Sequence, residues 1–127
     1  KGLNKMDGNK KDDRIEERVE LSILYDFYGA LLKENQQRMF EACILEDYNF
    51  TEIAQEEGIS RQGVYDSIRR STKQLREYEE RLGLVEKFEK QKKLAKKIHQ
   101  QLQELPLEKE NNHLEKINEM LQEILEE

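Results

Sequence analysis

The sequence predicts an all-α protein. Charged residues make up 39% of its 127 residues and apolar residues 35%, a balance typical of helices with a thin core and long solvated faces. The chain contains one proline, so long segments can remain helical. Apolar residues also recur every three or four positions over most of the chain, which is the period of one helix face. These observations argue against a β-sandwich or a β-barrel.

The first helix is predicted to begin at Asp13, which has the spacing of a capping box with Glu16. The helix continues to about Leu32. The segment before it, residues 1–12, is expected to form a flexible N-terminus, within which Met6 is a candidate natural start. In that case residues 1–5 would be foreign to the native chain. The predicted inner face of the helix consists of Ile15, Val19, Leu21, Leu24, Tyr28 and Leu31.

Two shorter helices are predicted next. The second helix runs from about Asn35 to Asp47. The third helix begins at Asn49, a favourable N-cap, with Glu52 placed to complete a capping box. Gly58 ends the third helix, at a position that needs a positive φ. The second helix is predicted to turn Met39, Phe40, Cys43 and Ile44 towards the core.

The fourth helix is predicted to be the longest of the first domain. Ser60 is its N-cap, and the helix continues to about Tyr78 or Leu82. With it, the four helices form one domain over residues 13–83. The predicted core side of the fourth helix consists of Val64, Ile68, Leu75 and Leu82.

Residues 84–127 are predicted to form a long C-terminal helical extension that is broken at Pro106. One heptad seam precedes the proline and a second follows it, but neither segment has enough apolar surface for a core of its own. We therefore predict a homodimer through the extension, with the alternative that the seams pack within one chain. The predicted dimer interface consists of Phe88, Ile98, Leu102, Leu114, Ile117 and Leu121.

Positive charge is concentrated in the fourth helix. Residues 60–76 contain five basic residues and one acidic residue, whereas the whole chain has a net charge of −6. A recognition helix needs this distribution, because its first turn reaches base edges while nearby cations neutralise phosphates. The alternative is a solvated charged face. The candidate nucleic-acid-binding residues are Arg61, Gln62, Tyr65, Arg69, Arg70, Lys73 and Arg76.

The candidate residues divide by expected role. Arg61 and Gln62 have the side chains that pair with guanine and adenine edges. Arg69, Lys73 and Arg76 lie further along the helix and are expected to contact phosphates. Gly63, which has no side chain, would allow either a close phosphate or close packing.

The segment EIAQEEGISRQGVYDSIRR, residues 52–70, resembles the promoter-reading domain of sigma factors. Together with ILEDYNF it resembles the YlxM-like bacterial proteins, over about Leu21 to Leu84. The resemblance implies a sigma-factor-type helix-turn-helix regulator, linked by gene neighbourhood to the signal recognition particle (SRP) pathway. Two residues depart from the usual pattern: Glu57 stands where an apolar residue is common, and Gly63 stands where alanine or threonine is common.

Several classes of function are not expected. The net charge of −6 argues against indiscriminate binding to nucleic acids or membranes. Neither histidine has cysteine or paired acids at metal-ligand spacing, and no catalytic triad or phosphate-binding loop occurs, so we expect no metal, cofactor, small-molecule substrate or enzymatic activity.

The sequence predicts a cytoplasmic location. No apolar run is long enough for a membrane span, and no secretory signal occurs. One cysteine cannot form an intramolecular disulfide, which fits a reducing compartment. The expected partner is DNA, with structured RNA, components of the SRP or another protein as the alternatives.

Overall fold

The computed structural model describes the backbone of residues 2–105 and 112–126, and the side chains of residues 13–105 and 112–126. Over these residues it is helical and contains no strand, which confirms the predicted all-α class. A 3₁₀ turn, Gly29–Leu31, follows the first helix, and a π-helical turn, Glu41–Leu45, follows the second. The α-helices are α1 (Gly2–Tyr28), α2 (Glu34–Phe40), α3 (Phe50–Glu57), α4 (Arg61–Leu82), α5 (Leu84–Glu104) and α6 (Asn112–Glu126).

The chain divides into two compact units, residues 1–83 and 84–127. At the boundary, Gly83 has a φ of +61° and donates its N–H to the carbonyl of Glu79, at 2.8 Å. This left-handed residue ends α4 in the manner of a glycine C-cap.

Helix α4 is the centre of the first unit, because α1, α2 and α3 each pack against it. Val64 and Leu75 are fully buried, and Ile68 is nearly so, as predicted. Leu82, which was predicted to join them, is instead 56% exposed, because it lies in the last turn of the helix. Around α4 the buried apolar residues of the unit are Leu21, Leu24, Tyr28, Leu32, Met39, Phe40, Ile53 and Ala54.

Helix α1 differs from the prediction in its start and in its inner face. It begins at Gly2 and not at Asp13, so Asp13 is not its N-cap, and residues 2–12 are helical. Leu24 is buried as predicted, whereas Ile15 and Val19 are each 55% exposed. At 100° per residue, those two positions lie on the opposite side of the helix from Leu24.

The predicted second helix is interrupted. Helix α2 ends at Phe40, and the backbone continues as the π-helical turn, whereas an α-helix had been predicted as far as Asp47. The guanidinium of Arg18, from α1, donates from Nη2 to the carbonyl of Cys43 at 2.8 Å and from Nε to that of Ile44 at 3.4 Å. A side chain from another helix thus satisfies carbonyls that the end of a helix leaves without partners.

Asp47 follows this turn with a φ of +62°, and its carboxylate lies 2.8 Å from Arg18. A left-handed backbone is uncommon for a residue with a side chain, although aspartate tolerates it better than most. Cys43 is half-buried nearby, and burial raises the pKa of its thiol. A raised pKa keeps the thiol protonated and unreactive, in agreement with a structural role.

The second unit consists of α5 and α6, which pack against each other within one chain. Ala95 and Leu121 are buried between them. The predicted interface residues Phe88, Leu102 and Leu114 are half-buried, whereas Ile98 and Ile117 are exposed. Part of the two predicted seams therefore packs within one chain, and the homodimer stays a prediction. The predicted break at Pro106 lies outside the described residues.

Candidate nucleic-acid interface

Helices α3 and α4 form a helix-turn-helix, and the N-cap of α3 is Asn49, as predicted. The Oδ1 atom of Asn49 accepts from the N–H of Glu52 at 2.9 Å, and Oε1 of Glu52 accepts from the N–H of Asn49 at 3.0 Å. Gly58 ends α3 with a φ of +68°, and its N–H bonds to the carbonyl of Ala54. The turn therefore depends on a backbone conformation that glycine adopts without strain.

The second helix of the motif begins with a tight contact. The Oγ atom of Ser60 accepts from the N–H of Gly63 at 3.0 Å, which confirms Ser60 as the N-cap. A Cβ at Gly63 would lie 3.3 Å from both Ile59 Cδ1 and Ser60 Oγ. A side chain at this position would therefore require Ile59 or Ser60 to shift by a few tenths of an ångström. Its N–H is also already bonded to Ser60, so the structure favours packing over an approach to phosphate.

The outer side of α4 carries a group of exposed cations. Among the described residues, Arg61, Arg69 and Arg70 form no ion pair with a carboxylate. Lys73 approaches Glu77 of its own helix at 4.0 Å, with a side chain that is 78% exposed, so this pair is weak. We call Arg61, Arg69, Arg70 and Lys73 the basic face; by the 100° step Arg69 and Lys73 lie at its centre, whereas Arg61 and Arg70 lie on its two flanks. Three of its four cations carry no internal counter-charge within the described chain.

Two polar contacts organise the first turns of this surface. The amide of Gln62 donates to Oδ1 of Asp66 at 3.0 Å. Tyr65 is 44% exposed, and its ring meets Phe50 edge-on, with ring centroids 6.0 Å apart. Both rings line an open groove of about 530 Å³, whose charged lining residues are Arg69, Lys73, Arg76, Glu17, Glu77 and Glu80. Phe50 was not among the predicted site residues, although an aromatic residue in the first turn of α3 is a signal for a contact with α4.

Arg76 lies differently from the other predicted residues. Its guanidinium lies 3.4 Å from Oε2 of Glu17 and 3.0 Å from Oε1 of Glu20, both on α1. These carboxylates stand seven and four residues before Leu24, so the sequence places them near the packing side of α1. Arg76 therefore joins α4 to α1. The basic face ends at Lys73, and its span from Arg61 is about 18 Å at 1.5 Å per residue.

Glu57, which departs from the usual motif, is held by a cation. Nε and Nη2 of Arg38, on α2, donate to its two carboxylate oxygens at 3.1 and 3.0 Å. This paired contact lowers the pKa of Glu57 below its ordinary value, mainly through the hydrogen bonds from Arg38. The acidic residue thus joins α3 to α2, a role that an apolar residue would fill by packing.

No helix among the described residues is long and apolar enough to cross a membrane. Within the same residues, no group of three or more His, Cys, Asp or Glu side chains is arranged to hold a metal ion.

Comparison with known proteins gives consistent matches. The family model UPF0122, described as "Putative helix-turn-helix protein, YlxM / p13 like", matches residues 15–124. A UPF0122 protein of Caldanaerobacter subterraneus is 49% identical over 78 residues, which are 61% of this chain and 67% of that protein. One of Symbiobacterium thermophilum is 44% identical over 82 residues, covering 65% and 77%. One of Geobacillus kaustophilus is 40% identical over 84 residues, covering 66% and 76%.

Proposed function

The chain belongs to the UPF0122 family of YlxM-like helix-turn-helix proteins, and on that premise we propose that it is a non-enzymatic regulator that binds duplex DNA. In this proposal the N-terminal half of α4 enters the major groove, as recognition helices do. The observation that carries the proposal is the basic face, in which Arg61, Arg69 and Arg70 project from one helix without carboxylate partners among the described residues. Such cations supply the electrostatic attraction on which binding to phosphates depends.

The residues of α4 would then act in two ways. Arg61 and Gln62 lie in its first turn, where side chains of a recognition helix reach base edges. The bond from Gln62 to Asp66 limits the rotamers of the amide before any base is met. Arg69, Arg70 and Lys73 follow within about four turns and would contact phosphates, which positions the helix without reading sequence.

The ion pairs of Arg76 supply a control for this assignment. Sequence alone suggested that Arg76 contacts phosphate, but its guanidinium already faces Glu17 and Glu20. A cation that stays paired with two carboxylates neutralises little phosphate charge, so few counterions are released from DNA on binding. We therefore expect Arg76 to contribute much less to binding than Arg69 or Lys73, although it carries the same charge as either.

The test is a binding titration at several salt concentrations, on a selected DNA site and a scrambled one. Arg69→Gln, Arg70→Gln and Lys73→Gln should each weaken binding to both DNAs and reduce the salt slope by about one unit. Arg76→Gln, the matched control, should change the slope by much less. Arg61→Ala and Gln62→Ala should each weaken the binding free energy for the selected site by about 1–3 kcal/mol and change that for the scrambled site little.

The same titration distinguishes DNA from the alternatives. The Tyr65–Phe50 pair beside Arg69 is an arrangement that can stack an unpaired base, so structured RNA is a second candidate ligand. A role in the SRP pathway is suggested by family resemblance, and the RNA of that particle therefore belongs in the panel. Tight binding to RNA without binding to DNA would refute the DNA proposal. Absence of salt-dependent binding to either would leave a protein partner.

A further inference from the structure

The hairpin of α5 and α6 carries apolar side chains that the packing of the two helices against each other leaves exposed. Seven large apolar residues of the hairpin are between 39% and 60% exposed. One is Leu84, at the start of α5; the other six are Leu94 and Ile98 on α5, Leu105 one residue beyond its end, and Ile117, Met120 and Ile124 on α6. We call these six residues the apolar face. Monomeric soluble proteins rarely expose contiguous apolar patches of more than roughly a few hundred Å².

Helix geometry places all six residues on one side of the hairpin. On α5, Leu94 and Ile98 lie roughly 60–100° around the helix from the buried Ala95, and extending the same step one residue past Glu104 places Leu105 in that range. On α6 the other three lie roughly 40–100° around from the buried Leu121, in the same rotational sense. Seven residues separate α5 from α6, too few to run back along the length of α5, so the two helices are antiparallel. On two antiparallel helices, side chains turned by the same angle and in the same sense from the buried contact point to the same side of the pair.

The opposite side of the hairpin is polar. Turning the other way around each helix by roughly 80–120° leads to lysine, glutamine and glutamate side chains. These residues are Lys96 and Gln103 on α5 and Glu115 and Gln122 on α6, all exposed. The hairpin is therefore apolar on one side only. A pair of helices with this pattern forms half of a four-helix bundle.

Charge complementarity indicates what covers the apolar face. Helix α5 has six lysines and three glutamates, a net charge of +3. Helix α6 has one lysine and four glutamates, a net charge of −3. When two such hairpins stack around a two-fold axis parallel to their helices, each α5 lies beside the α6 of the other copy. Positive and negative helices then alternate around the bundle, whereas contact between two α5 helices would oppose like charges.

We propose that the apolar face is a dimerisation surface for a second copy of this chain. The seam predicted from sequence is only partly involved, because Phe88, Leu102, Leu114 and Leu121 are largely used within the hairpin. The shared residues are Ile98 and Ile117. A dimer of this kind holds two helix-turn-helix units together, as proteins that bind paired half-sites do.

Charged residues border the apolar face on both helices. Lys90 and Lys97 lie at its outer edge on α5, and Lys116 and Glu123 lie at its outer edge on α6, by the same 100° step; Lys90 also lies 3.0 Å from Glu86 of its own helix. In the proposed bundle Lys90 and Lys97 of one copy face Glu123 of the other. Only the arrangement with α5 beside α6 brings these opposite charges together, so they test the geometry of the dimer as well as its existence.

The test is sedimentation equilibrium of the full chain at tens of micromolar, where a dimer with a micromolar Kd predominates. The double variant Ile98→Asp with Met120→Asp should raise the Kd at least about a hundredfold, because each buried apolar side chain is lost twice per dimer. The control is Ile15→Asp with Val19→Asp, which makes the same change at two exposed residues of the first unit. The control should remain dimeric, and circular dichroism should show both variants helical.

Charge reversal supplies a second and independent measurement. Lys90→Glu with Lys97→Glu should weaken the dimer, and adding Glu123→Lys to the same chain should restore it. A wild-type chain that sediments as a monomer at these concentrations overturns the proposal. A dimer that survives the Ile98 and Met120 substitutions would assign the interface to another surface and overturn it equally. Failure of the third substitution to restore the dimer would reject the alternating bundle.

Discussion

Replacing Arg18 by methionine should destabilise the first unit, because this side chain satisfies the end of the π-helical turn. Methionine keeps most of the apolar stem of arginine and removes the guanidinium. The bond from Nη2 to the carbonyl of Cys43, at 2.8 Å, is a well-formed charged hydrogen bond, a class that contributes about 1.5–3 kcal/mol. The bond to Ile44, at 3.4 Å, is long and adds little.

The expected loss is smaller than the full value of that bond. The side chain of Arg18 is 41% exposed, so water can reach the carbonyls once the guanidinium is gone. Its ion pair with Asp47 is weak, because the carboxylate is 83% exposed. We therefore expect Arg18→Met to lower the free energy of unfolding by about 1–2 kcal/mol.

Urea unfolding followed by circular dichroism measures this loss as a lower midpoint with an unchanged slope. Asp47→Asn is the control, since asparagine also tolerates the left-handed backbone and only the ion pair is removed. The control should stay within about 0.5 kcal/mol of wild type. If Arg18→Met also stays within about 0.5 kcal/mol of wild type, the guanidinium does not stabilise the turn, and the reasoning from hydrogen-bond geometry is refuted.

Two further outcomes follow from the packing of the first unit. Arg38 lowers the pKa of Glu57, so the stability from this pair should be fully present above the ordinary glutamate pKa of about 4.3 and should be lost as the pH falls through the lower folded pKa. Glu57→Gln should flatten that part of a plot of unfolding free energy against pH. An unchanged plot would contradict the pairing. Leu75→Ala should lower the free energy of unfolding in urea by about 2–5 kcal/mol, because Leu75 is fully buried. Leu82→Ala should lower it by less than about 1 kcal/mol, because Leu82 is mostly exposed. Equal losses would contradict the described core.

Hydrogen bonds between residues close in sequence were the easiest features to predict. The caps at Asn49 and Ser60 join atoms only three residues apart, and the positive φ of Gly58 depends on its own backbone. Such interactions need no distant partner, so residue type and spacing identified them here, whereas the same spacing at Asp13 and Glu16 did not mark the start of a helix. The buried residues Val64 and Leu75 followed from the period of the helix, since α4 packs on one continuous side.

Features that depend on a distant partner could not be predicted in the same way. Arg76 was assigned to the outer surface of α4, but Glu17 and Glu20, more than fifty residues earlier, face it from α1. Likewise, Arg18 reaches the carbonyls of Cys43 and Ile44 across a sequence separation of about 25 residues. An isolated arginine has the same chemistry in either setting, so only the packing of the helices determines whether it is exposed or paired.

The sequence by itself determined that this protein is helical, where the helix-turn-helix lies and that residues 60–76 contain five basic residues and one acidic residue, because each of these depends on local spacing and composition. Tertiary structure decided which side of each helix is covered. In α5 and Leu105 just after it, the apolar residues form two neighbouring stripes, Phe88, Ala95 and Leu102 in one and Leu94, Ile98 and Leu105 in the other, and periodicity cannot tell which stripe meets α6. Because Ala95 and Leu121 are buried, the stripe that contains Ala95 is the one that contacts α6, and the exposed residues beside it form the other stripe. A helix of about 10 Å diameter can contact one neighbour with only one part of its circumference.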